Sequence, residues 1–96
     1  MMIFGMVTGT VVSTKKSDSI TGTKYLLVHL CTHREKLKKS YVVALDLVGA
    51  GMGEMVIIAQ GSSARQTDLT YQKPIDAVIV GIVDLVEEEG VIVFRK

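Results

Sequence analysis

Apolar and polar positions along this chain fall into short runs broken by glycine or by charge, with no long helical repeat. Ile3 to Thr14 reads Ile-Phe-Gly-Met-Val-Thr-Gly-Thr-Val-Val-Ser-Thr and predicts a first strand, with Gly5 and Gly9 where a curved strand bends or bulges. The stretch from Ser17 to Thr23 is rich in turn formers, and Tyr25 to Cys31 then resumes a strand pattern expected to pair with the first. Thr32 to Ser40 reads as a solvated loop or short helix before a third strand, Tyr41 to Asp46. A glycine-dense turn, Gly49-Ala-Gly-Met-Gly-Glu54, leads into the strand Met55 to Gln60. After Gly61, Ser63 and Gln66 stand at capping-box spacing and predict a short helix. Beyond Pro74, a strand from Asp76 to Val86 runs to the acidic turn Glu87 to Gly90, and Val91 to Phe94 returns as a hairpin.

Composition sharpens this picture. Thirty of the 96 residues are Val, Ile or Thr, stiff at χ1 and best accommodated on a pleated surface. A chain of this length carries one hydrophobic core, so residues 1–96 are read as a single domain. The expected architecture is mainly β: a small closed OB-like β-barrel of five to six strands with one short helix. Met55 to Ala59 and Ala77 to Val83 are apolar at nearly every position, and one barrel interior covers only one face of each. The other face predicts a partner, and hence an oligomer.

Charge and cysteine usage narrow the function classes. The formal net charge is +1, so no global field draws the chain to nucleic acid or to an anionic membrane. The longest apolar run falls far short of the ~20 residues that cross a bilayer. The lone Cys31 and an opening Met1-Met2-Ile3-Phe4 without a signal-peptide pattern lead to the expectation of a reducing, cytoplasmic compartment.

Five constellations invite chemistry or recognition. His29, Cys31 and His33 alternate, so a continuous strand would project them from one face as candidate zinc ligands; against this stand the missing fourth ligand and the habit of a lone Cys to act as a small buried hydrophobe. Ser62 or Ser63 with a histidine lacks the Gly-x-Ser-x-Gly elbow of a hydrolase. The glycine turn could cradle a phosphate, or be a tight turn with positive φ, or a place of close approach between chains. Glu54 and Arg65 are either an ion pair between two loops or two solvated charges. The basic run Arg34 to Lys39 is a solvated loop or a steering patch for an acidic partner. No coherent catalytic set, metal site or cofactor site emerges, and a non-enzyme is expected.

At Val48-Gly-Ala-Gly-Met-Gly-Glu54, followed after a six-residue strand by Gly61-Ser-Ser-Ala-Arg65, the sequence resembles the pentameric vertex shell proteins of bacterial microcompartments, a family shared by carboxysomes and ethanolamine-utilisation organelles. Gly9 to Thr14, Leu26 to Val28, and Pro74 to Ala77 running into Val80 to Asp84 resemble that family in order and spacing; the basic stretch within His29 to Lys39 departs from it. The resemblance implies a homopentamer, a cyclic ring that caps the vertices of a cytoplasmic shell tiled mostly by hexameric shell proteins, without catalysis or cofactor. It also implies that Gly49, Gly51, Gly53 and Glu54, with Ser62, Ser63 and Arg65, lie at subunit contacts or near the central axis. The alternative is an OB-fold module that binds nucleic acid or a small ligand.

Overall fold

The computed structural model describes residues 1–12, 24–61 and 76–96. Five strands, β1 (Met2–Val11), β2 (Tyr25–Cys31), β3 (Leu37–Asp46), β4 (Met55–Gln60) and β5 (Ala77–Ile82), close into a barrel in the order β1-β2-β3-β5-β4, with β4 returning to β1. Neighbours are antiparallel except β3 and β5, which run parallel. This is the mainly β, closed, OB-like barrel that the strand pattern predicts. The expected helix around Ser63 and Gln66 lies outside the described residues.

Alternation along the strands builds the core. Val7, Leu26, Val28, Ala44, Val56, Ile58 and Ile79 point inward and are essentially inaccessible to solvent. Gly5 lies among them where no side chain fits: a Cβ there would run into Val28 Cγ1 and come within 3.2 Å of Ile58 Cδ1. The register of β1 against β2 shifts between Val7 and Gly9, so the first strand does bulge at its second glycine.

Beyond end shifts of one to three residues, as at Val11 where Thr14 was expected, two strand boundaries differ from expectation. The third strand begins at Leu37, not Tyr41, so Lys38 and Lys39 belong to a strand rather than to a loop. Their side chains are exposed, and solvated lysines are compatible with extended backbone that faces water. The expected strand from Asp76 to Val86 is two strands: β5 ends at Ile82, Val83 and Asp84 turn a corner, and β6 (Leu85–Glu88) pairs with β7 (Val91–Arg95) in a separate hairpin. The corner is held by the Val83 N–H donating to Met55 O at 2.8 Å and the Lys96 N–H donating to Asp84 O at 2.9 Å. At the hairpin turn Glu89 and Gly90 both have positive φ, 52° and 81°, which matches the twist of a two-residue connection.

The hairpin also revises the argument for a partner. Cys31, Met55, Val83 and Phe94 form a second buried cluster on the outside of the barrel, with Phe4, Met6, Ile57 and Val86 packed against it. A third cluster joins Leu45, Ala59 and Val78, each at most 1% exposed. The outward faces of β4 and β5 are thus largely covered within one chain, and the apolar excess of these strands does not by itself demand an oligomer. The large apolar side chains that stay exposed lie elsewhere, among them Met2, Leu37, Tyr41, Met52, Val91 and Ile92.

Candidate functional site

The glycine turn that closes one end of the barrel is organised by two carboxylates. Asp46, the last residue of β3, is buried, and its side chain folds back over the turn. Asp46 Oδ1 accepts from the N–H groups of Val48 (3.1 Å), Gly49 (3.0 Å) and Ala50 (3.2 Å), while Oδ2 also accepts from Ala50 (3.1 Å). Lys24 Nζ stands 3.7 Å from Oδ2, and the Asp46 N–H donates to Lys24 O. Ala50 is thereby pressed into the core beside Val7 and Val56.

Glu54 secures the other limb. Its Oε1 accepts from the Gly51 N–H at 2.6 Å, its own N–H donates to Gly51 O at 3.2 Å, and Lys96 Nζ lies 2.6 Å from Oε2. The Gly53 N–H donates to Val7 O and the Val7 N–H to Glu54 O, which ties the turn to β1 beside its bulge. Gly49 and Gly53 sit at φ of 74° and 81°, where a side chain would strain the backbone. Between them the exposed Met52 projects, flanked by the exposed Gly51 and Gly53.

This geometry decides between the readings of the turn. The N–H groups of Gly49, Ala50, Gly51 and Gly53 are donated inside the chain, so they do not form an anion cradle. The turn is tight and rigid, and offers backbone and Met52 to whatever approaches it. Neither carboxylate is free for acid or base work.

The Lys96 hydrogen bond, seconded by the Gly51 N–H, holds the Glu54 carboxyl below the usual carboxylate range despite opposing desolvation. The same contact pushes the Lys96 ammonium above the ordinary lysine value. A lowered acid pKa stabilises the fold above the unfolded value and loses that contribution as pH falls through the folded one. A raised amine pKa does so below its unfolded value and loses it as pH rises through the folded one. Protection of the Gly51 amide against hydrogen exchange, corrected for intrinsic rate, is therefore expected to be flat between about pH 4.5 and 10.5 and to fall below that window. Lys96→Met should shrink the acid-side loss; an unchanged acid limb would show that the pair does not hold the turn.

Of the residues expected here, Gly49, Gly51, Gly53 and Glu54 form this one turn. Ser62, Ser63 and Arg65 lie outside the described residues, and the partner that the structure gives Glu54 is Lys96. Sequence reasoning missed Asp46, although an aspartate three residues before a glycine is a recognisable turn signal. Lys96 had no such signal, being 42 positions from Glu54.

The His29, Cys31 and His33 set is divided among separate tasks. His29 Nε2 lies 2.5 Å from Lys38 O, and because a carbonyl only accepts, that nitrogen carries a proton; the ring also stacks on Tyr41 at 4.2 Å. Cys31 is buried against the hairpin, and burial, with Glu35 adding to it and Lys38 opposing, pushes its thiol pKa up. His33 Nε2 meets Glu88 Oε1 at 2.8 Å beside Arg34 Nη2 at 3.0 Å, clasping the hairpin to the β2–β3 turn. The strand that was to align the three donors ends at Cys31. Among the described residues, no group of three or more His, Cys, Asp and Glu is placed to hold a metal ion.

Comparison with known proteins gives a consistent set of relatives. A family model described as ethanolamine utilisation protein EutN/carboxysome matches residues 2–84, which span the barrel. The bacterial microcompartment shell vertex protein GrpN of Rhodospirillum rubrum is 51% identical, covering 90% of this chain and 97% of the relative. The carboxysome shell vertex protein CcmL of Gloeobacter violaceus is 41% identical over 99% of this chain and 95% of its own length. The solved structure of that CcmL superposes with a TM-score of 0.91 at 40% identity, covering 98% of this chain and 97% of the other. The structure titled GrpN pentameric microcompartment shell protein from Rhodospirillum rubrum does so with a TM-score of 0.80 at 50% identity, covering 90% of this chain and 98% of the other.

Proposed function

The chain belongs to the EutN/carboxysome family of ethanolamine utilisation and carboxysome proteins, and from that premise we propose that it is a structural shell protein whose homopentamers cap the vertices of a bacterial microcompartment in the cytoplasm. The observation that carries this reading is the half-identical, near-full-length likeness to a pentameric shell protein. A closed ring needs a heterologous interface, in which one patch of each subunit meets a different patch of the next. The glycine turn suits one side of such a contact: it is pinned by Asp46 and Glu54, bare of side chains at Gly49, Gly51 and Gly53, and presents Met52. Ser62, Ser63 and Arg65 belong to the same proposed contact.

The ring's further partners follow from tiling. A flat hexagonal layer closes into a polyhedron only where five-fold units replace six-fold ones, so hexameric shell proteins are the proposed neighbours. The role is structural rather than catalytic, in keeping with carboxylates already spent on backbone donors. The nucleic-acid module is not favoured: among the described residues the exposed aromatic is Tyr41, and its ring is stacked on His29.

Gly51→Val tests the placement of the turn. Gly51 has no positive φ, and a Cβ there would meet only the Glu54 carboxyl, with Oε1 at 3.3 Å, so one chain accommodates the new side chain by a small shift of Glu54. Size-exclusion chromatography with light scattering is expected to shift from the five-chain species toward smaller ones while the far-UV circular dichroism stays the same. An unaltered ring would remove Gly51 from the interface.

A further inference from the structure

The basic run that sets this chain apart leads from the β2–β3 turn, which holds Arg34 and Lys36, onto a strand that outgrows its barrel and carries Lys38 and Lys39. Leu45 and Asp46 at the end of β3 pair with Val78 and Ile79 of β5, whereas Leu37 to Val43 pair, among the described residues, with β2 alone. Among the described residues, the second edge of that stretch is open. Leu37, Tyr41 and Val43, paired with Cys31, His29 and Leu27, share one face and are 54%, 57% and 48% exposed. An extended, apolar, open edge is a template on which another chain adds a strand through backbone hydrogen bonds.

Two features of this stretch oppose such pairing. The first is a bulge: His29 faces Tyr41 and Cys31 faces Leu37, so β3 advances four residues while β2 advances two. The extra backbone kinks the edge, and the displaced Lys38 carbonyl is taken up by His29 Nε2. The second is charge. Lys36, Lys38 and Lys39 are exposed and have no carboxylate within ion-pairing distance among the described residues, unlike Lys24, Arg34 and Lys96.

We propose that the bulge at Lys38, together with the charges of Lys36, Lys38 and Lys39, guards the open edge of β3 against strand addition by other copies of this chain. Two such edges brought together would set unpaired ammonium groups against one another and strip them of water. This guard depends on the presence of charge and not on its sign. Recognition of an acidic partner would depend on the sign.

The test uses the full-length protein in three forms: wild type, a triple Lys36→Thr/Lys38→Thr/Lys39→Thr variant, and a triple Lys36→Glu/Lys38→Glu/Lys39→Glu variant. Light scattering and thioflavin T fluorescence are followed over days at neutral pH, with circular dichroism as the check on folding. The threonine variant should show a several-fold rise in both signals, and the glutamate variant should stay as dispersed as wild type with the same oligomer mass. Should the triple threonine variant fail to fold, Lys39→Thr alone is compared with Lys39→Glu on the same readouts. A threonine variant no more aggregated than wild type overturns the proposal. So does a glutamate variant that loses the wild-type oligomer, which would make the stretch an attractive contact that needs positive charge.

Discussion

Asp46→Ala is expected to destabilise the fold by about 3 kcal/mol, because hydrogen bonds to a charged group are each worth roughly 1.5–3 kcal/mol and several are lost together. The substitution orphans the N–H groups of Val48, Gly49 and Ala50, and Ala50 is buried where water does not readily replace the carboxylate. Lys24 adds little at 3.7 Å, since its side chain is mostly in solvent. In a domain of this size the loss corresponds to a fall in Tm of roughly 12–24 °C, read by circular dichroism at one fixed protein concentration because assembly also shifts Tm. Asp46→Asn keeps Oδ1 as an acceptor and should lose less than half as much. A loss below about 1 kcal/mol for the alanine variant would mean that the turn finds other acceptors.

Gly5→Ala carries the second large effect, by overpacking rather than by loss. Its new methyl group would collide with Val28 Cγ1, a stiff β-branched side chain at 0% exposure, and also approach Ile58 Cδ1 and His29 O. The expected loss is about 2 kcal/mol. Val28→Ala alone also destabilises, by leaving a cavity, yet it removes the atom that Gly5→Ala strikes. The double variant should therefore fall short of the sum of the single losses by about 1 kcal/mol or more in a denaturant-melt cycle. Strict additivity would show that the methyl group is accommodated elsewhere.

These two positions differ in how readable they were. Gly5 stood out because a glycine inside a β-branched run signals a bend or a bulge, whereas its close approach to Val28 depends on the pairing of β1 with β2. Asp46 was taken only as a strand end. Tyr25–Cys31 and Met55–Gln60 were legible residue for residue, because turn formers or glycines bound them locally. The start of β3 at Leu37 was hidden by lysines, which are poor strand formers where a strand must pack but acceptable on an edge that extends past the barrel. The break between β5 and β6 carries no glycine or proline, and arises from the backbone bond of Val83 to Met55, far away in sequence. For the same reason the excess of apolar strand surface was read as a demand for a partner when the chain's own hairpin covers much of it. The candidate site was legible as a glycine turn with Glu54, while its supports, Asp46 and Lys96, became visible only once the strands were in place.

The most direct test of the central claim is native mass spectrometry of the wild-type protein at low micromolar concentration across a range of ionic strength. The account predicts a dominant species of five 10.4 kDa chains that persists as salt is raised. A stable monomer would contradict it: the exposed apolar side chains and the rigid glycine turn would then be surface features of a protein that acts alone.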